Sequence, residues 1–150
     1  MLEKAFEQSK EDNIVHELAR LKEKKGDYRE AITLYELLLP GNELGALQHI
    51  ADCHHWLGEH KACVWYCTRA ILLDPLNESW WNNLVYALVQ LEKVNCAIFV
   101  EQLRQSVVQA VPDDSDAPPP TEYLKPWLEI LNSEFGEEFV TSIVLPSHYS

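Results

Sequence analysis

The sequence predicts an all-α fold of about three helix-turn-helix hairpins followed by a C-terminal helix, on three observations. Apolar residues recur at helical spacing through most of the chain, the signature of amphipathic helices. Only five of the 150 residues are glycine, too few for a turn-rich β fold. Finally, the pattern KKGDYREAITLYELLL (24–39) returns as WLGEHKACVWYCTRAILLDP (56–75) and, more faintly, as QLEKVNCAIFVEQL (90–103). The small residues Ala31, Cys63 and Ala97, spaced 32 and 34 apart, mark the register. Gly26 and Gly58 stand five residues before the first two, and Glu92 takes that place in the third.

The first hairpin is expected over about 12–40. Ile14, Val15, Leu18, Ala19 and Leu21 supply the apolar stripe of its first helix, and Ala31, Ile32, Leu34, Tyr35 and Leu38 that of its second. Pro40-Gly41-Asn42 ends it, while residues 2–12 extend the first helix at a strongly charged, solvated start. The second hairpin runs over about 44–75. Leu47, Ile50, Ala51 and His54 precede Gly58, whose tolerance of positive φ suits a helix end. Val64, Cys67, Ala70 and Ile71 form the next stripe, and Asp74-Pro75 closes it because proline cannot continue a helix.

In the third hairpin, over about 78–110, Asn77 can cap a helix starting near Glu78, with Trp81, Leu84, Val85 and Leu88 on its buried face. A partner helix follows over about 94–110. Residues 111–121, rich in Pro and Asp, read as a linker that cannot bury enough apolar surface to order itself. In the C-terminal region, 122–150, Leu124, Trp127, Leu128 and Leu131 share a helical face with Phe135, and Pro126 fits only in a first turn. So large a stripe should dock, and the expected place is across residues 94–110, where the last hairpin would otherwise expose its end face.

Charge narrows the choice of partners. Twelve Lys and Arg against 24 Asp and Glu leave a net −12, which opposes a phosphate backbone or an anionic membrane surface, so nucleic acid is not an expected partner. The N-terminal MLEKAFEQSKEDN has no apolar signal region and no apolar run reaches ~18 residues, so no membrane insertion is expected. A cytoplasmic location follows, or a nuclear one in a eukaryote. In that setting the four cysteines are expected as reduced thiols.

The combination of Gly58, Cys63, Ala70 and Pro75 preceded by Ile50-Ala51, with Gly26, Tyr28, Ala31, Tyr35 and Leu38 before it and Trp81, Leu84 and Ala97 after it, resembles the tetratricopeptide repeat family. The likeness covers roughly residues 12–104. It implies a right-handed α-solenoid whose first helices line a groove for a partner protein, either a peptide or a helix. The matched groove positions are His16, Arg20 and Lys24, then Gln48, Asp52 and His55, then Asn82, Tyr86 and Val89. Some relatives grip acidic chaperone tails through a carboxylate clamp, but the matching positions here, His16, Arg20, His49, Ser79 and Asn83, keep only fragments of it. Cys63, Cys67 and His54 also depart from the family's usual small and aromatic residues.

Two chemical alternatives are weaker. His49 with Cys53, and Cys63 with Cys67, are i, i+4 pairs of the kind a zinc site uses. Repeat matching, however, places Cys63, Cys67 and His54 in the core with Cys53 and His55 directed elsewhere, so no metal or other cofactor is expected. No phosphate-binding glycine loop, H-E-x-x-H or G-x-S-x-G occurs, and no enzyme activity is expected. What remains is binding: an adaptor or scaffold subunit of a larger complex, or a small acidic chaperone masking an apolar partner segment, as the type III secretion chaperones that it resembles in size and acidity do.

Overall fold

The computed structural model describes residues 2–41, 43–110 and 120–145, and among these the chain is all-helical. Positions 111–119 of the expected linker, and the tail beyond Leu145, lie outside the described residues. The chain divides into two compact units, one running to Glu59 and one starting at His60, so the boundary falls within the stretch 44–75 expected as the second hairpin.

The first unit holds α1 (Leu2–Lys24), α2 (Tyr28–Glu36) and α3 (Glu43–Trp56). Helix α2 packs on both α1 and α3. Ala19, Ala31, Tyr35, Leu47, Ile50 and Cys53 are fully buried and form its center. One expectation fails here. Val15 and Ala19 turn inward, but Ile14, Leu18 and Leu21 stay about half exposed. At about 100° per residue, Ile14 and Leu21 stand roughly 140–160° around the helix from Ala19, so the five apolar positions span two faces. Half-buried His16 and Glu23 complete the inner face, held there by polar contacts that α2 and α3 supply.

The second unit holds α4 (His60–Leu73), α5 (Glu78–Gln90), α6 (Val94–Ala110), α7 (Pro120–Tyr123), α8 (Lys125–Phe135) and α9 (Glu137–Val144). Helix α5 packs on α4 and α6, and α4 also receives α7 and α9. The Asn77 side chain accepts from the Ser79 amide at 3.0 Å, capping α5 as expected. Trp81, Leu84 and Leu88 are buried, and Trp80 joins them. The single helix expected in the C-terminal region, 122–150, is instead broken into α7, α8 and α9, and α8 starts at Lys125 because Pro126, which has no amide hydrogen, fits only the opening turn of a helix. Helix α9, unread in the sequence, starts past Gly136, whose φ of 102° breaks the chain between two helices.

One turn geometry recurs three times. Gly26, Gly58 and Glu92 have φ of 82°, 74° and 62°, and the amide after each donates to a carbonyl five residues back: Asp27 to Lys22, Glu59 to His54 and Lys93 to Leu88. This is the Schellman termination, in which one left-handed residue satisfies the last carbonyls of a helix. Five residues beyond each turn, Ala31, Cys63 and Ala97 are buried. Thus the third turn is built without its glycine, at the conformational cost of a side chain in the left-handed region.

Candidate functional site

The most developed surface of the first unit lies where α1 meets α3. Glu23 sits at its floor, accepting at one oxygen from Tyr35 Oη at 2.8 Å and from His49 Nδ1 at 3.2 Å. The His49 ring stacks on Tyr35, centroids 4.5 Å apart and 6° from parallel, and His16 meets both rings edge-on at 5.6 and 6.0 Å. Burial, followed by the Glu23 hydrogen bond, raises the Tyr35 phenol above its ordinary value, so it remains a donor. A carboxylate, a phenol and two imidazoles are therefore locked together.

Above this network opens a cleft of about 350 Å³ lined by Arg20, Glu23, Lys24, Tyr28, His49 and Trp56. Trp56 is 65% exposed, an unusual place for the largest side chain. Asp52 is half-buried; burial first, then the Glu23 charge, raises its carboxyl, against the lowering influence of His49 and His55. Gln48 is exposed and His55 half-buried, with its ring edge-on to Trp56 at 5.3 Å. The floor of the turn is fixed as well: Glu59 accepts from Arg29 at 2.8 Å and from His54 Nδ1 at 3.1 Å.

In the second unit, Asn82, Tyr86 and Val89 are exposed on α5, and the Tyr86 ring meets His60 edge-on at 6.0 Å. The tail residues are elsewhere. Leu124, Trp127 and Leu131 are fully buried and Leu128 half-buried. Trp127 Nε1 donates to Thr68 Oγ1 of α4 at 3.2 Å, and its ring stacks on Phe99 of α6 at 6.5 Å. From α9, Ser142 accepts from Trp65 Nε1 at 2.7 Å, and the carbonyls of Ile143 and Val144 accept from Arg69 at 3.1 and 3.3 Å. Docking is therefore largely onto α4, whereas the sequence pointed to residues 94–110; Val94, Ile98 and Val108 of α6 stay about half exposed.

All four cysteines are buried and unpaired in disulfides. Cys53, expected to point away from the core, is fully buried, and burial pushes its thiol up to about 12. No three His, Cys, Asp or Glu side chains converge as metal ligands among the described residues. Nor is any described helix long and apolar enough to cross a membrane.

Glu23, Tyr28 and Trp56 were not among the groove residues read from the sequence. Trp56 carried a signal nonetheless, since it falls outside the apolar stripe of α3 and immediately before the Leu57-Gly58 turn. Compared with known proteins, the chain matches no family model, no curated protein and no solved structure.

Proposed function

We propose that the chain is a helical-repeat binding module, an adaptor or scaffold subunit whose hairpins stack as a right-handed solenoid of the tetratricopeptide kind and hold a segment of a partner protein. The observation that carries this reading is the cleft between α1 and α3. There an exposed indole, a phenol and the cations of Arg20 and Lys24 surround the fixed Glu23-His49-Tyr35 floor. An aromatic ring gives contact area at small entropic cost, and a preorganized polar floor orients an extended backbone or a helix face. Three identical helix terminations support the repeat assignment. Binding rather than catalysis is favored because the thiols are buried and Cys53 is held far from its thiolate form.

Affinity capture with the intact chain, read by mass spectrometry and compared with Trp56→Ala, tests the reading. A stoichiometric place in a multi-subunit complex, lost in the variant while helicity and melting are retained, is the expected result. Capture that is indifferent to Trp56 would move binding away from this cleft. A 1:1 complex with one apolar substrate would favor the chaperone role over the adaptor.

A further inference from the structure

Part of the apolar stripe of α1 that the sequence assigned to the core stays half exposed among the described residues. Ile14, Leu18 and Leu21 are 56%, 45% and 48% exposed, at the i, i+4, i+7 spacing of a helix face that meets another helix. They line an open cleft of about 610 Å³ whose described walls come from α1 itself. The same lining carries three cations, Lys10, Arg20 and Lys24, against one carboxylate, Glu17, which already pairs with Arg20 at 3.5 Å. In a chain of net charge −12, the lining of this cleft has the opposite sign from the whole, and the exposed Glu7 and Glu11 stand on the same helix face toward the N-terminus. Such a reversal, placed around exposed leucines, is the complement of one particular kind of ligand.

We infer that the Ile14-Leu18-Leu21 face of α1 is a docking surface for an acidic amphipathic helix of a partner protein, with apolar residues at i, i+3/i+4 spacing seated on the stripe and carboxylates reaching Lys10, Arg20 and Lys24. Apolar burial supplies attraction without direction, and the flanking cations supply the choice of partner. A comparable half-exposed set on α6, Val94, Ile98 and Val108, has a more tightly neutralized frame among the described residues: Lys93 is held by Glu134 at 2.6 Å and Arg104 by Glu101 at 2.6 Å, whereas the Arg20–Glu17 pair on α1 stands at 3.5 Å. The α1 surface therefore selects for charge in a way the α6 surface does not.

The probe is a labeled peptide of about fifteen residues, four helical turns, with leucines at i, i+4 and i+7 and glutamates on both flanks, read by fluorescence anisotropy against the full chain. A second peptide carries lysines in place of the glutamates. The acidic peptide is expected to bind at least about tenfold more tightly than the basic one, and to lose affinity as salt is added. Leu18→Ser should weaken it about tenfold, and Lys10→Glu with Arg20→Glu should reverse the preference, with circular dichroism unchanged in both variants. Trp56→Ala leaves this binding intact, which separates it from occupation of the α1–α3 cleft. Equal binding of both peptides, or indifference to Leu18→Ser, overturns the proposal. So does sedimentation equilibrium showing a dimer that Leu18→Ser dissolves, because a second copy would then be the occupant.

Discussion

Helices α1 and α4 both carry more apolar surface than their own hairpins use, and the chain deals with them in opposite ways. Over α4 it lays α7, α9 and the Trp127 side chain of α8, with Trp127, Trp65 and Arg69 each making a hydrogen bond between α4 and the tail. On α1 it leaves three branched residues half exposed between charged neighbors. The difference teaches that apolar spacing decides that a helix forms, while coverage is decided by whether some other segment brings matching polar partners. Thr68 and Ser142 receive the two indole N–H groups, so the tail buries tryptophans without stranding a donor.

The contrast is sharpest if one residue is removed from each side. Trp127→Ala, at a position 1% exposed, is expected to cost about 3–5 kcal/mol in urea unfolding, from lost burial plus the cavity it leaves. Leu18→Ser should stay within about 0.5 kcal/mol of the parent, as exposed positions do. A large loss at Leu18 would break the comparison, because it would mean that the α1 face is covered in solution. Next in size is Arg69→Ala, which removes the donor to the Ile143 and Val144 carbonyls and should cost about 1.5–3 kcal/mol. Faster amide exchange in α9 than in α5 is the measurement that locates the loss.

Turn chemistry gives a smaller and signed effect. A Cβ at Gly58 meets nothing within 4 Å, so the cost of Gly58→Ala, about 1 kcal/mol, is conformational alone. Glu92→Gly, at φ 62°, should stabilize by a similar amount, about 0.5–1 kcal/mol, measured as a rise in the denaturant midpoint. If Glu92→Gly is neutral, the third turn is not strained in the way its geometry states.

Asp52 gives the smallest effect and the most specific one. Its carboxyl is raised above the ordinary 3.8, chiefly by burial, so the folded state holds that proton more tightly than the unfolded chain does. Stability contributed by protonation is present below 3.8, and it is lost as pH rises through the raised folded value. Asp52→Asn removes this dependence. The difference in stability between variant and parent should therefore climb across that window and level off above it, as urea titrations at stepped pH would record.

Much of this was legible beforehand. Asn77 as a cap, Gly58 as a helix end and Ala31, Cys63 and Ala97 as small buried residues were each visible, because local backbone geometry restricts which residue types fit. Which face of α1 turns inward was not. Ile14 and Leu18 outrank His16 and Glu23 in apolarity, and only the tertiary partners Tyr35 and His49 make the polar face the buried one. The landing place of the tail was hidden for a similar reason: the Thr68 hydroxyl that receives Trp127 looks like any polar residue on a helix. In the cleft, Arg20 and Lys24 were legible from the matched groove positions, whereas Trp56, which stands at the end of α3 outside its apolar stripe, was not among them.

The buried thiols give the molecule a built-in clock. Alkylating reagents attack thiolates, and Cys53 and Cys67 are fully buried, with Cys63 at 3% and Cys96 at 9% exposure, so modification is slow until the surroundings part. Cys53 belongs to the first unit, and Cys63, Cys67 and Cys96 to the second. Timed labeling followed by peptide mapping would report whether the halves breathe together or one at a time, with no added probe.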